Sequence, residues 1–310
     1  MKTIEERYDR SALAYRRWWE PVLGPTALGL LDRLEASGWP NADAAAPSGP
    51  AKDGDPPDGT RPSGERPDGT SSPAQGRLLD VGTGAGLLAI AAASRWPMLE
   101  VVGLDGSAAM LAVAEAAWDE RRGGQAEDRI RWVRGHAGKL PFESGGFDVV
   151  VSSFVYQLVP NLNQALAEAL RVLRPGGRLA IVTWRVGDEP FAPDEAFESA
   201  LDNLELEFDE ADQEEPRSGD FASAAAAATR LRRIGFRRVV AREAWLEHDH
   251  DPATYADFLE SYAESETFSD LGSAERDRLR ERTKACLAAL PRAEFRWRVP
   301  VVYVLARRPE

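Results

Sequence analysis

The stretch LLDVGTGAGLLAI, residues 78 to 90, constrains the fold of this chain more than any other part of the sequence. An apolar run is followed by three glycines within five positions, Gly82, Gly84 and Gly86, and then by a second apolar run. This pattern predicts a buried strand, a tight turn and a helix. Several unrelated nucleotide-binding folds hold their ligand at such a turn. The stretch therefore predicts a class of ligand without identifying it.

From Arg77 onward, predicted strands alternate with predicted helices. Helices are expected at 86–95, 107–122, 161–174 and 221–234. Strands are expected at 77–82, 99–105, 130–135, 147–153, 177–184, 237–245 and 294–308. Several of these strands are apolar throughout, as is typical where helices cover both faces of a sheet. The alternation predicts a doubly wound α/β fold.

The remaining segments differ from this pattern. Residues 1–38 are predicted to form two helices, the second beginning at Pro25. Residues 41–75 contain no aromatic or branched aliphatic side chain, so they cannot bury enough apolar surface to offset the entropy of ordering, and we predict a disordered insertion. Two inserts, at 186–220 and 246–293, interrupt the alternation and are expected to cover the crevice at the carboxyl ends of the strands.

Composition excludes several classes of function. The formal net charge is −13, whereas proteins that bind nucleic acid concentrate lysine and arginine on one face, so no nucleic-acid partner is expected. Cys286 is the single cysteine, so an intrachain disulfide and a cysteine-based zinc site are excluded. The longest apolar windows are strand-sized and the first residues are charged. These features predict a soluble cytoplasmic protein with one principal domain and no stable membrane insertion.

The glycine spacing excludes two common nucleotide loops. A dinucleotide loop reads G-x-G-x-x-G, but here the third glycine arrives one residue early. A phosphate-binding Walker loop needs a lysine where Leu87 stands. The helix that starts near Gly86 still suits a small anion such as an amino-acid carboxylate. Asp105, at the end of the second strand, is placed to accept the hydroxyl groups of a ribose. The glycine loop and Asp105 together predict that the ligand is a nucleoside with a small charged tail.

Six ordered motifs carry a resemblance to a known family: LLDVGTGAG, VVGLDGSAAML, GKLPFESGGFDVVVSS, EALRVLRPGGRLAIVTW, LRRIGFRRV and the final strand. The chain resembles the class I S-adenosylmethionine-dependent methyltransferases, in particular the small-molecule group (methyltransferase type 11) that includes the ubiquinone/menaquinone-biosynthesis-type enzymes. The resemblance runs from about Tyr8 to the end, apart from 41–75. It implies a seven-stranded, mostly parallel Rossmann-like sheet with an antiparallel last strand. It also implies a helical lid at 1–38, S-adenosylmethionine as co-substrate and a small-molecule methyl acceptor.

The resemblance also implies which residues bind the co-substrate. The glycine loop would hold the methionine portion, and Asp105 the ribose. The loop after the third strand usually reads Gly-Asp-Ala, but here a histidine replaces the acid, and its neutral imidazole can accept the same hydrogen bond from adenine. The implied binding residues are Asp80, Gly82, Thr83, Gly84, Gly86, Asp105, Gly106, Ser107, Met110, His136, Ala137, Ser152, Ser153 and Phe154.

No catalytic residue is identified from the sequence. His248 and His250 precede the predicted lid helices of the second insert and are candidates for a general base, and Tyr15 is a candidate from the N-terminal lid. No further residues at metal-ligand spacing lie nearby, so no metal site is predicted. A protein that binds the co-substrate without catalysis is the alternative, and a nicotinamide oxidoreductase is disfavoured by the glycine spacing. The sequence identifies neither the acceptor nor the oligomeric state.

Overall fold

The computed structural model of the protein describes residues 4–40, 76–123, 129–187, 190–202 and 221–310. The predicted insertion at 41–75 and most of the acidic insert, 203–220, lie outside the described residues. Within the described ranges, no helix is both long enough and apolar enough to cross a membrane.

The described residues form one seven-stranded sheet. Its strands are β1 (Arg77–Val81), β2 (Glu100–Asp105), β3 (Ile130–Arg134), β4 (Phe147–Ser153), β5 (Leu173–Trp184), β6 (Arg237–Asp249) and β7 (Arg296–Arg307). The order across the sheet is β3-β2-β1-β4-β5-β7-β6. Strands β1 to β5 pair in parallel, whereas β7 runs antiparallel to both β5 and β6. The predicted fold, including the antiparallel last strand, is confirmed.

Helices cover both faces of this sheet and its carboxyl edge. They are α1 (Ile4–Ala14), α2 (Glu20–Ala36), α3 (Leu87–Arg95), α4 (Ala108–Arg122), α5 (Leu162–Val172), α6 (Ala192–Asp202), α7 (Ala224–Ile234), α8 (Pro252–Phe258), α9 (Ser265–Asp270) and α10 (Ser273–Ala288). One face buries Leu166 of α5 and Leu231 of α7, and the other buries Leu30 of α2 and Ala92 of α3. The strand order reverses between β1 and β4, where folds of this kind bind ligands.

The N-terminal region is one nearly continuous helical run, and the prediction of a second helix beginning at Pro25 is wrong. Helix α1 leads through a π-helical turn at Tyr15–Trp19 into α2, and Pro25 lies inside α2. An interior proline costs a helix about 3 kcal/mol. Here α2 also buries an apolar stripe that includes Leu23 and Leu30 against the sheet. This burial outweighs the local cost of the proline.

Strands β6 and β7 continue as a hairpin beyond the edge of the sheet. The last residue of β5, Trp184, pairs with Val301, which also pairs with Ala244. The hairpin then runs on to the pair formed by Asp249 and Arg296, a projection of about 16 Å. Strand β6 is therefore longer than the predicted 237–245, and the insert expected at 246–293 begins four residues later, because the pairing with β7 extends the ladder.

The two inserts pack on each other to form a separate small core. Phe197 of α6 stacks on Phe268 of α9, with ring centroids 6.0 Å apart. Leu279 of α10 and Phe295, which precedes β7, are buried in the same cluster. The inserts thus form a helical cap at the projecting end of the hairpin.

Candidate functional site

The glycine loop joins β1 to α3 at the switch point of the sheet. Gly82, Gly84 and Gly86 all have left-handed φ angles, of 69°, 54° and 88°. A Cβ added at Gly82 would lie 2.2 Å from a methyl group of Val155. At Gly84 the nearest atom to an added Cβ is Cε1 of Tyr15, 3.9 Å away. The loop is therefore closed by Val155 at Gly82 and open at Gly84, where a ligand can approach its backbone.

Two aspartates, Asp80 and Asp105, accept hydrogen bonds from residues of this loop. One carboxylate oxygen of Asp105 accepts the Gly84 N–H at 2.8 Å, and the other accepts the Ser107 N–H at 2.9 Å. Asp80 accepts the Thr83 hydroxyl at 2.7 Å and the Ala89 N–H at 3.2 Å. Burial raises the pKa of both carboxyl groups, and that of Asp80 reaches about 7. The two acids, one on β1 and one at the end of β2, therefore fix the glycine loop.

Helix α1 lies over the ends of β2 and β3. Asp9 accepts the Ser107 hydroxyl at 2.6 Å and the Ala109 N–H at 3.0 Å, and the first of these bonds lowers the pKa of Asp9 most. Glu5 lies 3.3 Å from Nδ1 of His136. The N-terminal helix is thus attached to the loops that are predicted to bind ribose and adenine.

A small cavity remains between the glycine loop, α2 and the π-helical turn. Tyr15 lies over it, and burial raises the pKa of its phenol well above the ordinary value, so this side chain stays protonated. Of the predicted binding residues, those that line the cavity come from the end of β1, the glycine loop and the end of β4. The lining consists of Tyr15, Glu20, Leu23, Ala27, Asp80, Gly82, Thr83, Ala85, Leu87, Leu88 and Ser153.

The structure gives the other predicted binding residues different surroundings. The Ser152 hydroxyl donates to the Val81 carbonyl at 2.8 Å, inside the sheet. Phe154 has a left-handed φ of 54°, and its ring is buried 4.3 Å from that of Trp184. An added Cβ at Gly106 would lie 3.4 Å from the His136 ring, so these two residues meet beneath α1. Ala137 and Met110 are buried apolar residues.

The two candidate histidines lie at the end of β6, next to the helical cap. His250 is buried among aromatic rings, with centroids 4.9 Å from Tyr255 and 5.6 Å from Phe258. Burial lowers its pKa to about 4, and burial also lowers the pKa of His248. A neutral imidazole with so low a pKa is a weak proton acceptor. Among the described residues, no group of three or more His, Cys, Asp or Glu side chains could hold a metal ion.

Sequence reasoning missed the acidic residues that the N-terminal helices bring to the site. Glu5 and Asp9 contact loops about a hundred residues away, and no local pattern predicts such contacts. Glu20 had a detectable signal. It stands three and seven residues before Leu23 and Ala27, so the three share one helix face, which meets the cavity.

The buried Asp80 and His250 give opposite pH dependences of stability, which can be separated by substitution. Between about pH 4 and 7 the unfolded chain releases the Asp80 proton that the folded chain keeps, so the contribution of Asp80 to the unfolding free energy falls as pH rises. Between about pH 4 and 6.5 the unfolded chain protonates His250, which stays neutral when folded, so this contribution rises with pH.

We expect Asp80→Asn to remove the contribution of Asp80, which falls as pH rises. The unfolding free energy of the variant, relative to that of the unchanged chain, should therefore increase between pH 4.5 and 6.5. Each unit of pKa shift is equivalent to about 1.4 kcal/mol. His250→Phe should change the slope in the opposite direction. Urea denaturation at several pH values measures the unfolding free energy of both variants. If the unfolding free energy of Asp80→Asn varied with pH in parallel to that of the unchanged chain, the pKa of Asp80 would not be raised in the folded protein.

The part of the chain that carries this loop, acid and cavity is similar to a known family of domains. The family model described as a methyltransferase domain matches residues 79–181, which run from β1 into β5. The match covers the glycine loop, Asp105 and the end of β4.

Curated relatives match the same part of the chain. The ubiquinone/menaquinone biosynthesis C-methyltransferase UbiE of Dinoroseobacter shibae is 44% identical over 107 residues, which are 34% of this chain and 41% of the relative. The demethylmenaquinone methyltransferase of Thermus thermophilus is 40% identical over 107 residues, 34% of this chain and 46% of the relative. The chain thus spans less than half the length of the curated relatives it matches.

A solved structure supports the fold over the whole chain. The phosphoethanolamine N-methyltransferase 2 of Haemonchus contortus, in complex with S-adenosyl-L-methionine, aligns with a TM-score of 0.52 and 20% identity, and the alignment covers 100% of this chain and 61% of that one. At this identity the likeness shows a shared fold.

Proposed function

We propose that this protein transfers the methyl group of S-adenosylmethionine to a small organic acceptor. The observation that carries the proposal is the meeting of three features at the switch point. These are the open backbone at Gly84, the Asp105 carboxylate and the start of α3 beside the cavity. They suit the methionyl end and the ribose of the donor. The match of residues 79–181 to the methyltransferase domain gives independent support.

Each part of the site has a defined task in this proposal. Asp105 would accept the ribose hydroxyls, and the first turn of α3 would attract the carboxylate of the amino-acid end. When bound, S-adenosylmethionine supplies an activated methyl group, so the acceptor–carbon bond forms as the sulfur–carbon bond breaks. The protein then needs chiefly to align the acceptor and exclude water. Tyr15 is a hydrogen-bond donor here, because its raised pKa makes it unsuitable as a base.

The acceptor we propose is a planar, largely apolar ring compound. Aromatic side chains form a continuous series from the end of β4 to the lid. The ring centroids of Phe154 and Trp184 are 4.3 Å apart, those of Trp184 and Trp297 5.8 Å, and those of Trp297 and Trp19 5.5 Å. Such surfaces favour stacked or edge-on aromatic ligands. The relatives named for menaquinone and ubiquinone biosynthesis support the same class. A cytoplasmic location is part of the proposal, supported by a single cysteine and an acidic composition.

The test is an assay of S-adenosylhomocysteine formation by the full chain. S-adenosylmethionine would be supplied with, in separate reactions, a reduced naphthoquinone, a reduced benzoquinone, a catechol and a primary amine. We expect turnover with at least one ring acceptor, and none with the amine. Binding of S-adenosylmethionine in calorimetry without product from any acceptor would favour the alternative, a non-catalytic binding protein. Absence of binding would refute the proposal.

A further inference from the structure

The Glu20 carboxyl group at the start of α2 lines the cavity in which a ligand bound to the glycine loop would lie. Helix α2 directs Glu20, Leu23 and Ala27 toward the cavity, whose opposite wall is formed by Gly82 and Thr83. Gly24, on the same helix, would place an added Cβ 3.5 Å from Leu87, the first residue of α3. Glu20 therefore faces the start of α3 across a narrow space.

Three carboxyl groups border this part of the site, and two of them already accept hydrogen bonds from the protein. Asp80 accepts a hydroxyl and an N–H, and Asp105 accepts two N–H groups. Across the described ranges, Glu20 receives no hydrogen bond and forms no ion pair. Arg16 interacts with Glu20 electrostatically but donates its own hydrogen bond to Glu120, at 3.1 Å. Among the described residues, Glu20 is thus the acid at this site that accepts no hydrogen bond from the protein.

An unpaired carboxylate in a half-buried site favours a positively charged partner. Burial raises the pKa of Glu20, which shows that its charged form is poorly solvated there. A hydrogen-bonded cation would restore the lost solvation. Across the cavity, the first turn of α3 offers N–H groups and the positive end of the helix dipole, which favour an anion. A ligand that carries an ammonium and a carboxylate on one carbon matches both walls.

We infer that Glu20 binds the α-ammonium group of the methyl donor and makes the site selective for a donor with an intact amino-acid end. The inference rests on the proposed function, because it takes S-adenosylmethionine as the donor. It assigns to the N-terminal helix a direct part in donor recognition, in addition to covering the site. Glu20 is in this sense a positioning residue, since it fixes the amino-acid end from which the sulfonium extends.

The experiment compares two ligands on two proteins by titration calorimetry. The ligands are S-adenosylhomocysteine and its deaminated analogue, in which hydrogen replaces the α-ammonium group. The proteins are the full chain and its Glu20→Gln variant. Asp32→Asn serves as the matched control, because Asp32 lies on the exposed side of the same helix, where it pairs with Arg95.

The unchanged chain should prefer S-adenosylhomocysteine by roughly 10- to 100-fold, as expected for a hydrogen bond between charged groups. In Glu20→Gln this preference should fall to within about threefold, while the affinity for the deaminated analogue stays the same. Asp32→Asn should keep the full preference. These results together would support the inference.

Three outcomes would overturn it. An unchanged preference in Glu20→Gln would show that Glu20 does not contact the ammonium, and an equal loss of affinity for both ligands would show a structural role. Unchanged binding with a lower kcat would indicate that Glu20 acts on the acceptor. If the unchanged chain binds neither ligand, the proposed function itself fails, and this result is distinct from the other three.

Discussion

An Asp105→Ala variant is expected to bind S-adenosylmethionine at least about a hundredfold more weakly than the unchanged chain. The substitution removes the carboxylate that would accept the ribose hydroxyls, and each hydrogen bond to a charged group contributes about 1.5–3 kcal/mol. It also frees the Gly84 and Ser107 N–H groups that Asp105 now holds at 2.8 and 2.9 Å. Titration calorimetry measures the effect directly.

The control for this experiment is Asp119→Ala. Asp119 lies on α4 with half of its side chain exposed and pairs with Arg122 at 2.7 Å, so the same chemical change occurs away from the cavity. Thermal denaturation of both variants would show whether Asp105→Ala remains folded. A folded Asp105→Ala variant with unchanged affinity would exclude Asp105 from the donor site.

The second large effect concerns the stability of the glycine loop. Gly82→Ala should lower the free energy of unfolding by about 2–5 kcal/mol, because a left-handed residue with a Cβ costs about 1–2 kcal/mol and overpacking adds about 1–3 kcal/mol. The added Cβ would lie 2.2 Å from Val155. Gly84→Ala should cost about 1–2 kcal/mol, since its Cβ would meet nothing closer than 3.9 Å.

These two variants control each other, because they carry the same substitution in the same loop at similar φ angles. Urea denaturation gives both values. Equal losses would mean that backbone strain alone accounts for the glycines. Donor binding, in contrast to stability, should be more sensitive to a large side chain at Gly84 than at Gly82. Gly84→Val should abolish donor binding, because its side chain would occupy the open face of the loop.

The sheet and the donor loop were predictable because local patterns encode them. The run of apolar residues before Gly82 is buried in β1, and the φ angles of the three glycines explain their positions. Asp105 could be placed because the carboxyl ends of parallel strands meet at one edge of a sheet. The binding roles assigned to these residues stay predictions, which the variants above would test.

The contacts made by the N-terminal helix could not be predicted, because they depend on how distant segments pack. Asp9 reaches Ser107, and Tyr15 meets Tyr262 with ring centroids 6.2 Å apart. Neither pair has a spacing that a periodicity can detect. The π-helical turn at Tyr15–Trp19 has no sequence signal, although it changes which side chains of the helix face the site.

The projecting β6–β7 hairpin separates the helical cap from the loops that follow β1 and β2, so the sequences of these two parts can change independently. The donor loops follow β1 and β2, whereas the helical cap sits at the end of β6, four strand spacings from β1, or about 19 Å across the sheet. Insertions and substitutions in the cap therefore leave the register of β1 and β4 untouched. In this architecture the cap can change while the glycine loop stays constant, and the N-terminal helical run, which contacts both parts, is where the two must remain compatible.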